Sequence, residues 1–137
     1  MEKASFSLID YAFDKVLIEG NYLQKDSSIE IMFNPSGIFD PETSDYTLTF
    51  VFKAITEKKM DKPFIEVRCI AVFKIDNVTE INEIPNYFYR NSIAILFPYV
   101  RAYISLVTNQ ANIKPFILPT LNLSELETPL RENTISK

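Results

Sequence analysis

The sequence contains no histidine and no tryptophan, a single cysteine, and only two glycines in 137 residues. Each absence removes a class of chemistry. Without histidine, neither a Ser-His-Asp nor a Cys-His relay can be assembled. Metal sites lose their commonest ligand, and one thiol does not replace it. Gly20 and Gly37 stand too far apart to form a Gly-rich phosphate loop. Cys69 has no intrachain partner and lies in an apolar run, which reads as a buried, inert thiol. No stretch reaches the roughly 18 apolar residues that a spanning helix needs. The opening Met-Glu-Lys-Ala-Ser-Phe lacks the apolar core of a signal peptide. A cytoplasmic protein without membrane insertion is therefore expected.

The net charge of −4 argues against a nucleic-acid partner, because counterion release needs clustered Lys and Arg. Lys58, Lys59 and Lys62 do cluster, but at what reads as a hairpin tip, where solvation explains them. Carboxylate chemistry survives the loss of histidine. The densest acids, Asp40, Glu42 and Asp45, flank Pro41 between strands and read as solvated loop charges; their spacing does not match a calcium loop. The expectation is a protein that is not an enzyme, with no catalytic residue, no metal and no cofactor. What the chain has in abundance is aromatic carbon, eleven Phe and seven Tyr. Most of these rings belong in a core; some lining an exposed groove would mark a surface for polypeptides.

The first two thirds read as strands. Phe6, Leu8 and Ile9 begin one that continues through Val16 and Ile18 to Gly20-Asn21. Ile29, Ile31 and Phe33 alternate with Ser28, Glu30 and Met32, the period of a half-buried strand. Asn34-Pro35-Ser36-Gly37 is expected to end it. Tyr46, Leu48, Phe50 and Phe52 share one face of the next strand, and Thr47, Thr49, Val51 and Lys53 the other. A hairpin over Thr56 to Lys62 leads, after Pro63, into a strand from Phe64 to Ile75. In that strand Ile65, Val67 and Cys69 point inward, with Glu66 and Arg68 outward. Its Ile70-Ala71-Val72-Phe73 section is apolar on both faces, as in a strand covered on both sides.

Helices follow. Pro85 opens one over Asn86 to Ile95, and Pro98 suits the first turn of a second running to Thr108. Val100, Tyr103, Ile104 and Val107 form its amphipathic stripe. Asn109 to Asn112 is a polar stop, and Pro115 and Pro119 keep Ile113 to Leu121 non-helical. Ser124 with Glu127 fits a capping box for a short last helix before Pro129. One domain over 1–130 and a short disordered tail over 131–137 complete the expected organisation. Strands first and helices later make an α+β fold.

Ile95-Leu96-Phe97-Pro98-Tyr99-Val100-Arg101 resembles the Ile-Leu-Phe-Pro-Tyr-x-Arg run at the start of the main helix in the SecB export chaperones. Pro119 with Leu121-Asn122-Leu123 and Leu126, and Val72-Phe73-Lys74-Ile75 before the helix, are similar to that family as well. The Asn109 to Phe116 connection departs from it, being longer and lacking a short Arg-Gly-Thr-Phe-like turn. The resemblance implies a four-stranded antiparallel sheet with helices packed on one face, assembled as a homotetramer, a dimer of dimers. It also implies an ATP-independent holdase that binds non-native polypeptides, such as secretory precursors, in apolar grooves. Phe97, Tyr99, Tyr103 and Leu106 are the implied groove or interface residues. Glu19, Phe64 and Glu66 align with a surface that meets the SecA motor, while Lys15 stands at a third, normally acidic position. The few residues after Pro129 and Lys15 weigh against SecA. An alternative partner within the family is the antitoxin of a toxin–antitoxin pair. An alternative of another class is an interaction or assembly module on the same fold.

Overall fold

The computed structural model describes residues 5–19, 29–56, 62–111, 118 and 122–137. The strands are β1 (Phe6–Ile18), β2 (Ile29–Asp40), β3 (Asp45–Thr56), β4 (Ile65–Ile75) and β5 (Thr134–Ser136). The helices are α1 (Asn86–Gln110) and α2 (Glu127–Glu132), with short 3-10 turns at Ile81–Glu83 and Leu123–Leu126. The five strands form one sheet in the order β1-β4-β3-β2-β5, with α1 and α2 packed on one face. Pairing is antiparallel except between β2 and β5, which run parallel.

The alternation legible in the sequence decides which side chains are covered. Tyr46, Leu48, Phe50, Phe52 and Ala54 of β3 are at most 1% exposed, as are Ile65, Val67, Cys69, Ala71, Phe73 and Ile75 of β4. Their register partners share the same face, as cross-strand neighbours must. β1 keeps its apolar face by another device. Extra residues at Ile9 and Asp14 bulge the strand and reverse its parity each time. Phe6 and Leu8 therefore face the helices, then Tyr11 and Phe13, then Val16 and Ile18. Burial pushes the Cys69 thiol up to about 11, in keeping with an inert side chain.

The structure corrects several expectations. The sheet has five mixed strands rather than four antiparallel ones. Residues 131–137 are not a disordered tail: α2 runs to Glu132 and Thr134–Ser136 pairs with β2. What the composition hid is a side-chain anchor, because Thr134 Oγ1 bonds the Tyr46 hydroxyl at 2.6 Å and donates to the Leu130 carbonyl at 2.7 Å. β2 does not end at Asn34-Pro35-Ser36-Gly37 but runs through it. Pro35 is tolerated because the Gly37 N–H points away from β3, to the Asn133 carbonyl, and so does the proline nitrogen two residues earlier. Gly37 is required for packing. A side chain there would collide with the Tyr46 ring, which crosses over it.

The two expected helices are one, α1, with Pro98 inside it. Pro98 cancels the hydrogen bond to the Ala94 carbonyl, yet both residues are solvent-exposed, so water can satisfy that carbonyl. The turn before α2 is capped by Asn122, whose side chain accepts from the Ser124 N–H, rather than by a Ser124–Glu127 box. The expectations for Gly20-Asn21, the Lys58-Lys59 tip and most of Ile113 to Leu121 fall outside the described residues.

Candidate functional site: an aromatic surface between sheet and helix

The inner stripe of α1 is Phe88, Tyr89, Ser92, Ile93, Leu96, Phe97, Val100, Ile104 and Thr108, all buried at three- and four-residue spacing. The two polar members are satisfied within the helix, Ser92 by the Tyr89 carbonyl and Thr108 by the Ile104 carbonyl at 2.8 Å. Aromatic groups gather on either side of this stripe. Toward β2, Phe33 lies 5.4 Å from the ring centres of both Phe50 and Phe52 and 5.9 Å from Phe97. A hollow of about 90 Å³ opens beside Phe33, lined also by Asn122, Leu123, Glu125 and Leu126. Toward β1, Phe13 stacks on Tyr103 at 4.0 Å and Tyr11 meets Tyr99 at 4.6 Å. Tyr11 and Tyr99 remain 38% and 43% exposed. The outward side of α1 adds Tyr87, Ile95 and Leu106, all exposed.

The four predicted groove residues are thus divided. Tyr99 and Tyr103, one turn apart, join the β1 cluster. Phe97 is buried in the β2 cluster, and Leu106 points outward, 53% exposed. Tyr11, Phe13, Phe33, Leu123 and Leu126 were missed as surface residues. Alternation marks such residues as apolar-facing, but nothing local distinguishes the rim of a sheet from its centre.

Glu19, Phe64 and Glu66 do come together, at one end of the β1–β4 pair. The Glu19 N–H donates to the Phe64 carbonyl at 2.8 Å. The Phe64 side chain is buried, however, and presents no ring to a partner. Glu66 bonds Lys15 at 2.6 Å, and Asp14 bonds Arg68 at 2.8 Å. The Arg68 hydrogen bond holds the Asp14 carboxyl below its usual range. These cross-strand pairs neutralise Glu66 and Asp14 on the open sheet face, with exposed Glu19 beside them.

Nothing among the described residues groups three or more His, Cys, Asp or Glu as a metal site. Asp40 and Asp45 instead close the β2–β3 turn. Asp40 accepts from the Glu42 N–H at 3.0 Å and pairs with Lys137 at 3.7 Å. Arg101 donates to the Leu118 carbonyl and ties α1 to the segment beyond it. Among the described residues, no helix is long and apolar enough to cross a membrane.

Comparison with known proteins places this arrangement. An uncharacterized protein of Methanocaldococcus jannaschii is 48% identical over 64 residues, covering 44% of this chain. This chain spans only 37% of that relative's length. The SecB-like chaperone Rv1957 of Mycobacterium tuberculosis, solved with a ChAD peptide from the HigA1 antitoxin, superposes with a TM-score of 0.66. The match covers 85% of this chain and 90% of that one at 18% identity, a likeness of fold. The family model for preprotein translocase subunit SecB matches residues 29–128. That span takes in β2, β3, β4, the whole of α1 and the turn into α2, and by it the chain belongs to the SecB chaperone family.

Proposed function

We propose that this protein is an ATP-independent holdase that binds non-native polypeptides in the cytoplasm and keeps them from aggregating. The observation that carries the reading is the aromatic surface left open on both sides of α1. Tyr11 and Tyr99 form one part, and the hollow beside Phe33, Leu123 and Leu126 the other. An unfolded client exposes apolar side chains, and burying each contributes roughly 1.5–3 kcal/mol. Rings of this kind accept many side-chain shapes, so a broad client range follows without a catalytic group.

Exposed Tyr87, Ile95 and Leu106 along the outer side of α1 support assembly into a homotetramer as part of the same reading. Several copies acting together hold one long client through effective concentration.

Two delivery routes follow, to an export motor or to an antitoxin. The ion pairs Lys15–Glu66 and Asp14–Arg68, and the burial of Phe64, favour the antitoxin route. With Glu66 and Asp14 already paired, this face offers less to a basic partner. Support also comes from the Mycobacterium tuberculosis neighbour, whose solved complex contains an antitoxin peptide.

The test is aggregation of a slow-folding precursor with and without a molar excess of this protein and no nucleotide. Suppression is expected. Equal aggregation in both arms would discard the holdase reading and leave an interaction module on the same fold. Light scattering at micromolar concentration should report a tetramer, and a stable monomer would sink the assembly. Co-purification from the native host then separates precursors or SecA from an antitoxin.

A further inference from the structure

β5 is the element that family resemblance did not lead one to expect, and it is weakly held. It is three residues long, and its central side chain, Ile135, is 60% exposed. Its outer ion pair, Lys137–Asp40, spans 3.7 Å with the lysine 73% exposed. Its half-buried anchor is at one end only, where Thr134 bonds the Tyr46 hydroxyl and the Leu130 carbonyl. From Ile135 onward it is held to β2 by backbone hydrogen bonds and that exposed ion pair. Such a strand can peel from Ile135 onward while Thr134 stays seated.

The edge beneath it continues beyond it. The Gly37 N–H donates to Asn133 and the Phe39 carbonyl accepts from Lys137, so both residues turn their polar backbone outward. Alternation sends the backbone groups of Ile29, Ile31 and Phe33 to the same side. There, among the described residues, no strand pairs. Pro35 lies between the open stretch and the occupied one and offers no N–H. With β5 in place, an extended segment arriving along the open stretch is stopped at this gap. With β5 peeled away, the outward donors and acceptors at Gly37 and Phe39 resume beyond it.

We propose that β5 is a strap. The chain occupies the Gly37–Phe39 stretch of its own β2 edge and yields it when an extended client segment adds to that edge. This rests on the holdase reading, and gives the protein a built-in competitor that weak clients do not displace.

Ile135→Pro tests it. The parallel register turns the Ile135 N–H toward β2, so proline removes a ladder bond while leaving the Thr134 anchor and an exposed side-chain position. The probe is a fluorescently labelled, permanently unfolded polypeptide (reduced and carboxymethylated), followed by anisotropy. I135P is expected to bind it about tenfold more tightly, as when the competent state rises from about a tenth of the population to nearly all of it. Hydrogen exchange on the unmodified protein gives a second readout. Client addition should expose the Lys137 amide while the Phe39 amide stays protected. Equal affinity of I135P and wild type, or a Lys137 amide that stays protected in the client complex, overturns the strap and leaves the holdase standing. If neither protein binds the probe or suppresses aggregation, the holdase reading fails and the strap falls with it.

Discussion

The two faces of the sheet are made by the same strands, yet they differ in almost every physical respect. On β3 and β4 one face is Tyr46, Leu48, Phe50, Phe52, Ala54, Ile65, Val67, Cys69, Ala71, Phe73 and Ile75, sealed from water. The other is Thr47, Thr49, Val51, Lys53, Glu66, Arg68, Ile70, Val72 and Lys74, half-buried or exposed, with Ile55 buried at its end. The covered face has no polar group to satisfy apart from the Tyr46 hydroxyl, whose partner is supplied by β5. The open face pairs some of its charges within itself, Lys15 with Glu66 and Asp14 with Arg68, strand to strand. Folding energy therefore comes from one face. Unsatisfied apolar surface, the raw material of client binding, lies at the rims of that covered layer, on the outer side of α1, and in part on the open face, where Met32, Ile38 and Ile135 are exposed.

The sharpest way to break this contrast is to substitute one side chain on each side of it. Phe50→Ala deletes a side chain that is 1% exposed and packed on Phe33. A loss of about 3–5 kcal/mol is expected in denaturant unfolding, from lost transfer energy plus the cavity left behind. Val51→Thr changes the neighbouring residue on the open face at nearly constant volume, and should stay within about 1 kcal/mol. Comparable losses for the two would mean that the open face is also covered, by a second copy of the chain, and the asymmetry would have to be abandoned.

Much of that asymmetry was legible in the sequence, because strand alternation is a local property. Tyr46 to Phe52 and Ile65 to Cys69 declared their faces without any tertiary information. So did the acidic turn around Pro41 and the inert Cys69. Features that depend on a distant partner were not legible. Pro35 reads as a breaker unless one knows that its nitrogen faces a sheet edge, and Pro98 as a helix start unless the exposed side of α1 is known. β5 was hidden for the same reason: Thr134-Ile135-Ser136 has no pattern of its own and is held by Tyr46, 88 residues away. The candidate site was legible as composition and as the Phe97 to Arg101 run, but not as geometry. One face of α1 carries both core and rim, and only the position of β1 and β2 separates Phe97 from Tyr99.

A smaller effect tests whether the covered face is as dry as its side chains suggest. The Cys69 thiol is raised from 9.0 to about 11, chiefly because burial penalises the thiolate. Below pH about 9 the thiol is neutral in both folded and unfolded chains and adds no pH dependence. Between about 9 and about 11 the unfolded chain loses this proton and the folded chain keeps it. The native state then binds more protons, and stability falls as pH rises. At most about 1.4 kcal/mol per pH unit is expected from this group. Cys69→Ala should flatten that part of the alkaline slope, and wild-type Cys69 should resist thiol reagents at pH 8 until denaturant is added. Rapid labelling of the native protein would show that water reaches the sheet beneath α1.

The smallest expected effect lies on the open face and decides what that face is for. Lys15–Glu66 joins adjacent strands at 2.6 Å, but the lysine is 47% exposed, and such pairs are worth about 0–1 kcal/mol. Lys15→Ala should therefore leave the unfolding midpoint nearly unchanged. Its consequence should appear in binding instead, because it frees Glu66 beside Glu19 and restores an acidic patch. If the pairing is what keeps basic partners off this face, Lys15→Ala should acquire salt-sensitive binding to a Lys/Arg-rich peptide that the wild type ignores. Equal binding by both proteins would show that the ion pair is not what keeps that surface neutral toward such a partner. A large loss of stability would instead place Lys15 among the residues that hold β1 to β4, and the division of labour between the two faces would be less clean than their burial implies.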